Sequence, residues 1–254
     1  MSDELKLPAP FGQTGLYGKL PSHGDFVLRR LPQEFVSIWD EWLQQGIAES
    51  KIALGNGWEE CYREAPVCRF LLAPGTCGDF AWAGLWQPSV DRVGRRFPLT
   101  VAASLPSNVD ALETMLAAGS WYASLERETA AAFEPDVQFD TLDSNLEQLA
   151  FPAICLVQAD ASEDTLPIVE RVVSAFKSPI PQPATSDVVR SKLQSEKIMV
   201  GPFDSVWSGM SVTGREAPFL VTKGLPSAAR FCAMLDGNWA QAGWEMSEPT
   251  GSSG

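Results

Sequence analysis

The sequence predicts a layered α/β fold with a mixed, largely antiparallel sheet. Three apolar segments of strand length, at residues 67–72, 80–86 and 97–104, follow one another through turn-rich links that leave no room for crossover helices. Consecutive strands joined in this way pair in antiparallel fashion. Segments whose apolar residues recur with helical spacing surround them. Strands interspersed with amphipathic helices indicate helices packed on a sheet.

The N-terminal elements are recognised by their end signals. Residues 15–20 predict a first strand, which ends at Pro21 and the turn-forming residues 22–25, and a short extended run follows at 26–28. A helix is expected to begin near Pro32, a residue tolerated in a first helical turn, and to run to about Leu54 before the glycines of 55–57. Its apolar stripe consists of Phe35, Ile38, Trp39, Trp42 and Leu43.

The elements that follow these three antiparallel strands are predicted from the periodicity of apolar residues and from helix caps. Residues 109–133 have the strongest helical spacing, with Ser107 or Asn108 as N-cap. The remaining predictions are an acidic helix at 141–149, a strand or buried segment at 153–157, a helix at 162–177, strands at 197–200, 204–210 and 219–222, and a closing helix at 227–235.

The C-terminal part bears on domain organisation. The proline-rich segment 178–186 is a domain linker or a surface loop, and the surface loop is favoured because only about 70 residues follow it. We therefore expect one domain over 1–248 and a disordered tail over 249–254. Most of the nine tryptophans are expected in the core, whereas Trp239 and Trp244, beyond the last helix, are expected to be partly exposed.

Composition and charge exclude several classes of function. The chain has 254 residues, a formal net charge of −13 and a pI near 4.5. Such an acidic surface repels phosphate backbones and anionic lipids, so neither nucleic-acid binding nor direct membrane insertion is expected. No apolar run has the length of a bilayer span, and the first residues lack a signal pattern. These features predict a cytoplasmic protein.

The negative charge is concentrated beyond residue 104. The stretch 105–149 contains nine acidic residues and a single base, Arg127. Two interpretations stay open: a solvated helical face that maintains solubility, or a docking face for a basic partner.

The sequence offers little catalytic chemistry. His23 is the only histidine, and the five cysteines, without a C-x-x-C spacing, indicate reduced thiols packed as small hydrophobes. Metalloprotease, P-loop, dinucleotide and nucleophile-elbow motifs are absent. Ser22, His23 and Asp25 have the residue types of a hydrolase triad, but triad members converge from distant segments. We expect no enzyme activity, no cofactor and no metal, and His23 is interpreted as a turn residue.

A basic loop is the most distinctive feature. Arg92, Arg95 and Arg96 lie between two predicted strands, and with Lys19, Arg29 and Arg30 they could form a cationic patch. Arginine forks suit carboxylate or phosphate recognition, including an acidic or phosphorylated protein partner. In the alternative interpretation Arg92, Arg95 or Arg96 pairs with Asp25, Asp79 or Asp91 and holds the loops in place.

Two blocks of sequence resemble a known family. The first block is Gly15-Leu-Tyr-Gly-Lys-Leu-Pro-Ser-His-Gly-Asp-Phe-Val, followed by Phe-Val and Trp-Asp-x-Trp-Leu. The second block is Pro88-Ser-Val-Asp-Arg-Val-Gly-Arg-Arg-Phe-Pro-Leu-Thr. Both blocks resemble the TagF/ImpM accessory proteins of the bacterial type VI secretion system. Ser205-Val-Trp-Ser with Gly224-Leu-Pro resembles a weaker third block of that family, in which a second tryptophan is more usual than Ser208. The resemblance implies a three-layer α/β/α sandwich.

The resemblance also implies a function. It predicts a cytoplasmic, non-enzymatic regulator that represses type VI secretion post-translationally by binding the system's forkhead-associated scaffold protein. Two alternatives remain: a sensor or enzyme that binds an anion or small ligand through the Arg92–Arg96 loop, and a structural component of the secretion assembly. The candidate partner-binding residues are Lys19, His23, Asp25, Arg29, Arg30, Asp91, Arg92, Arg95 and Arg96.

Overall fold

The computed structural model describes residues 11–134, 138–158, 171–176, 191, 200–201, 204–209 and 217–246. Within these residues, nine strands form one sheet in the order β2-β1-β5-β4-β3-β7-β8-β6-β9. The strands are β1 Thr14–Gly18, β2 Val27–Arg29, β3 Cys68–Leu72, β4 Ala81–Gln87, β5 Leu99–Leu105, β6 Arg171–Phe176, β7 Asp204–Gly209, β8 Ala217–Lys223 and β9 Glu245–Met246. Every pairing is antiparallel except that of β6 with β9. The predicted mixed, largely antiparallel sheet is confirmed.

Helices cover both faces of this sheet. They are α1 Gln33–Leu54, α2 Trp58–Glu64, α3 Ala111–Ala117, α4 Gly119–Ala131, α5 Phe139–Gln148 and α6 Ala228–Asp236, with short 3₁₀ turns at Gly55–Gly57 and Ala153–Cys155. One hydrophobic core gathers residues of α1, α2 and α6, and the other gathers residues of α3, α4 and α5. The fold is therefore the expected three-layer α/β/α sandwich.

Strand alternation separates the two cores. In β4, Trp82 and Trp86 pack toward α1 and α6, whereas Ala81, Ala83 and Leu85 pack toward the other helices. This follows because successive side chains of a strand point to opposite faces. One core is consequently rich in aromatic rings, and the other consists largely of alanine, leucine and valine.

Helix α1 forms as its sequence predicts. Pro32 occupies the N-cap position, and Gly55 ends the helix with a positive φ of 52°, a conformation that glycine adopts without steric cost. Of the predicted apolar stripe, only Ile38 is exposed. Gly46 lets α6 approach closely, because a Cβ at this position would lie 2.5 Å from Cγ of Phe231.

Several predicted elements differ from the structure. The helix over 109–133 is divided at Ala118 into α3 and α4, since Gly119 is a poor helix former. Its N-cap is Asp110 rather than Ser107 or Asn108, because the Asp110 carboxylate accepts a hydrogen bond from the Glu113 amide at 2.8 Å.

Two further predictions are wrong because tertiary pairing overrides local pattern. The strand predicted at 153–157 is a 3₁₀ turn followed by a single bridge from Gln158 to Val109. Of the helix predicted at 162–177, residues 171–176 instead form β6, whose β-branched Val172 and Val173 suit a strand paired with β8.

Other predictions have mixed outcomes. The strands near 204–210 and 219–222 and the closing helix are present. Trp244 is buried, contrary to expectation. The predicted loop at 178–186, the tail at 249–254 and most of the strand predicted at 197–200 lie outside the described residues. No described helix is both long and apolar enough to traverse a bilayer.

Candidate partner-binding surface

The basic loop between β4 and β5 is a tight hairpin extension. A bridge between Val90 and Arg96 forms its base. Within it, the Asp91 amide donates to the Arg95 carbonyl at 3.0 Å, and the Gly94 amide donates to the Asp91 carbonyl at 2.9 Å. Gly94 has a φ of 87°, which explains why glycine occupies this turn.

The Asp91 carboxylate organises the loop from inside. Its Oδ1 accepts hydrogen bonds from the amides of Val93 at 3.0 Å and Arg95 at 2.8 Å. Its Oδ2 accepts from Nζ of Lys19 at 3.0 Å and from Nε of Arg95 at 2.6 Å. The side chain of Asp91 is fully buried and that of Lys19 is 8% exposed. Four donors thus stabilise one buried carboxylate, which is the condition under which a buried charge is tolerated.

This environment keeps Asp91 ionised. Burial by itself raises the pKa of Asp91, but hydrogen bonds from the Arg95 backbone, from the side chains of Lys19 and Arg95 and from the Val93 amide outweigh it. The pKa of Asp91 therefore lies well below that of an ordinary aspartate. Asp91 is a structural anion at neutral pH rather than a general base.

The loop is attached to the turn between β1 and β2. The Arg92 amide donates to the His23 carbonyl at 2.8 Å, and the Arg95 guanidinium donates to the Gly24 carbonyl at 2.6 Å. The Arg92 guanidinium lies against Gly24, since a Cβ there would be 3.2 Å from one of its terminal nitrogens. The two loops that contain the candidate residues therefore form one continuous surface.

The remaining arginines pair with carboxylates from other elements. Arg96 contacts Glu59 at 3.0 Å, and Arg30 and Arg29 contact Asp143 of α5 at 2.6 and 3.4 Å. Of the pairs predicted for the loop, that of Arg95 with Asp91 is present, whereas Arg96 pairs with Glu59, which was not among the predicted acids.

Two acids proposed for this pairing do not take part in it. Among the described residues, neither Asp25 nor Asp79 forms an ion pair, and the Asp25 carboxylate accepts from the Phe26 amide at 2.8 Å. The side chain of Arg92 is exposed and forms no ion pair within the described part of the chain. The Arg92 guanidinium is therefore available to a partner.

His23 has a turn role, as the sequence indicates. Its backbone amide donates to the Leu20 carbonyl at 3.0 Å, its Nδ1 lies 2.9 Å from Oγ of Ser22, and its ring packs edge-on against Phe139 at 4.7 Å between centroids. The Asp25 carboxylate is occupied by the following amide. The arrangement has no geometry of a catalytic triad.

The apolar part of this surface was not predicted from the sequence. Val93 is 69% exposed at the loop tip, and Phe26, in the turn to which the loop is attached, is 42% exposed. The Phe26 ring is fixed by stacking on Tyr17, by an edge contact with Phe97 and by the Lys19 ammonium 5.1 Å from its centroid. The sequence contained a signal for this exposure, because Val93 is an apolar residue between Arg92 and the turn glycine Gly94.

The acidic stretch 105–149 is partly used inside the molecule. Glu126 forms a two-point pair with Arg69, with one contact at 2.8 Å. Asp143 pairs with Arg29 and Arg30, and Asp110 caps α3. Several of these acids therefore serve packing rather than an open docking face.

Thiol and metal chemistry are not prominent in the described residues. Burial raises the pKa of Cys77 to about 12 and also raises the pKa of Cys68 and Cys155. Cys68 and Cys77 are buried thiols. No group of three or more His, Cys, Asp or Glu residues is placed to hold a metal ion in the regions that the structure describes.

Fold and surface together define the class of protein. It is a three-layer α/β/α protein with a basic loop that joins β4 to β5 and is held by internal hydrogen bonds. Residues 15–149, more than half of the chain, match the family described as TagF N-terminal domain, type VI secretion system-associated. The chain belongs to this family.

A solved structure resembles this fold over nearly the whole chain. The crystal structure of PA0076 from Pseudomonas aeruginosa PAO1 is 31% identical in sequence and superimposes with a TM-score of 0.69. The match covers 89% of this chain and 94% of that protein. No curated protein matches the chain.

Proposed function

We propose that this protein represses type VI secretion after translation, by binding a forkhead-associated scaffold protein in the cytoplasm and without catalysing a reaction. Membership of the TagF family gives the association with type VI secretion. The observation that supports a binding role is the loop built on Asp91, which holds the exposed Arg92 and Val93 on a backbone already ordered by internal hydrogen bonds.

Order in the free protein favours a binding role. A loop that must become ordered on association loses conformational entropy at that step, whereas a preformed loop does not. Arginine and aromatic side chains are also enriched at protein interfaces. Arg92, Arg95 and Phe26 are surface residues of this type.

The geometry favours binding over anion-dependent chemistry. Lys19 is buried against Asp91, Arg95 shares that carboxylate, and Arg96 pairs with Glu59. These cations therefore do not converge on one small anion. An Asp91 carboxylate with four donors also has no free capacity to accept a proton from a substrate.

The proposal is tested in a strain that lacks the gene. Secretion of the system's tube protein into the medium should rise on deletion, and return to the parental level when the gene is restored. The purified scaffold should be retained by the immobilised protein. Unchanged secretion together with no retained scaffold would contradict the proposal.

Two measurements separate the alternatives. A thermal-shift screen with phosphate, nucleotides and dicarboxylates at millimolar concentration should leave the Tm unchanged, because no ligand is bound. In fractionated cells, a regulator should not co-sediment in stoichiometric amounts with the secretion assembly. A ligand-dependent Tm, or stoichiometric sedimentation, would favour the sensor or the structural component instead.

A further inference from the structure

We propose that the loop-tip surface, formed by Asp25, Phe26, Arg92, Val93 and Arg95, docks a carboxylate-rich segment of a protein partner, and that an apolar side chain of that segment packs on Val93 and Phe26. The inference rests on the proposed function, because it names the face through which the regulator acts. It goes further by assigning the partner's chemistry.

The surface combines apolar anchors with an excess of positive charge. Its exposed charges are two cations, Arg92 and Arg95, against one carboxylate, Asp25, on a chain whose net charge is −13. Arg95 is 59% exposed even though it contacts Asp91, and Arg92 is exposed without an ion pair among the described residues. A guanidinium of this kind can form two parallel hydrogen bonds to a carboxylate.

The backbone beside this surface is unsuited to pairing with a strand of a partner protein. Strand β2 is the edge of the sheet and only three residues long. The Leu28 carbonyl already accepts from the Arg29 guanidinium at 2.9 Å, and the Phe26 amide donates to the Asp25 carboxylate at 2.8 Å. Short edges occupied in this way resist pairing with another chain. A partner is therefore recognised by side chains, with the arginines supplying charge and Val93 and Phe26 supplying apolar contact.

The chain offers matched control positions far from the loop. Ile154 is 94% exposed and lies shortly after Phe151 in the chain. The Phe151 amide donates to the Gly12 carbonyl, and the Gly12 amide donates to the carbonyl of Ser104, near the C-terminal end of β5. That end is roughly 20 Å from the basic loop, at about 3.3 Å per residue of strand. Lys223 in β8, also exposed, lies opposite Asp204 of β7 in the strand register, at the same end of the sheet.

Site-specific photo-crosslinking tests the inference. The photoreactive amino acid p-benzoylphenylalanine is placed at position 93, or at position 154 as control, in cells that carry the secretion system. The crosslinked peptide is then mapped by mass spectrometry. We expect position 93 to yield a carboxylate-rich peptide of a secretion-system protein at least tenfold more efficiently than position 154. Arg92→Glu should reduce this yield at least tenfold, and Lys223→Glu should leave it unchanged.

The outcomes separate this inference from the proposed function. A crosslink to the forkhead-associated scaffold supports both. An Arg92-dependent crosslink to an acidic segment of another secretion-system protein supports the surface and contradicts the scaffold assignment. Equal yields at positions 93 and 154, a yield insensitive to Arg92→Glu, a crosslink to a second copy of this chain, or loss of the crosslink on phosphatase treatment overturns the inference. An unchanged Tm for Arg92→Glu confirms that the variant is folded.

Discussion

Two carboxylates of this molecule each gather two cations, yet they serve different purposes. Asp91 binds Lys19 and Arg95 and also accepts two backbone amides of its own loop. Asp143 binds Arg29 and Arg30, and thereby joins the end of β2 to α5. We refer to these groups as the Asp91 cluster and the Asp143 cluster.

The difference lies in what each cluster leaves exposed. The Asp91 cluster orders a backbone turn. Arg92 and Val93 lie within this turn, between Asp91 and Arg95, and their side chains are exposed to solvent. In the Asp143 cluster the Arg30 side chain is only 14% exposed, and the Arg29 guanidinium lies 4.8 Å from the Phe139 ring. Similar arginines therefore form a surface in one place and an internal connection in the other.

The largest effect is expected for Asp91→Ala. This change leaves the Lys19 ammonium buried without its carboxylate and removes the acceptor of two loop amides, so both stability and loop order should fall. Denaturant unfolding should show a clear loss relative to Asp79→Ala, a matched change at an exposed carboxylate. Equal stability of the two variants would show that Asp91 does not organise the loop.

Arg30 offers the corresponding test of the Asp143 cluster. Its side chain donates to the Thr14 carbonyl at 2.7 Å and contacts Asp143, so Arg30→Ala should cost about 2–3 kcal/mol of unfolding free energy. Arg30 also has a φ of 58°, which costs a non-glycine residue about 1 kcal/mol. Arg30→Gly should therefore be more stable than Arg30→Ala by roughly that amount in urea unfolding. The reverse order would contradict the strained backbone at this position.

The pH dependence of stability should differ between wild type and Asp91→Asn. The pKa of Asp91 is lower in the folded than in the unfolded chain, so its contribution is fully present above the unfolded pKa of about 3.9. That contribution is lost as pH falls below this value toward the folded pKa. Unfolding free energies measured from pH 6 to pH 2 should converge at the acidic end. Parallel profiles over this range would exclude a depressed Asp91 pKa.

The smallest effects on stability are expected for substitutions of Arg96 and Arg92. Arg96→Ala removes a partly exposed pair with Glu59 and should cost at most about 1 kcal/mol. Arg92→Ala should change stability by less than about 0.5 kcal/mol, because its guanidinium has no ion-pair partner among the described residues. Thermal unfolding of both variants shows whether Arg96→Ala lowers stability more than Arg92→Ala does. A larger loss for Arg92→Ala would place Arg92 within the fold rather than on a binding surface.

Sequence patterns predicted the elements whose signals are local. The meander from β3 to β5 and the bounds of α1 followed from alternation, proline and glycine. Helix α2 was missed because it has seven residues and little periodicity. Its stability comes from tertiary contacts, since Tyr62 is buried and its hydroxyl donates to the Ser89 carbonyl at 3.1 Å.

The sequence singled out the basic loop, its companion turn and the family to which they belong, because these signals consist of residue types in a fixed order. It could not distinguish Arg92 from Arg95 or Arg96, which have the same chemistry within five positions. Only the tertiary structure decided which of these guanidiniums lacks an ion-pair partner among the described residues, because Glu59 approaches Arg96 from a distant part of the chain and the folded loop places Arg95 against the buried Asp91. Coulomb interactions act over a few ångströms of space, and separation along the chain does not determine that distance.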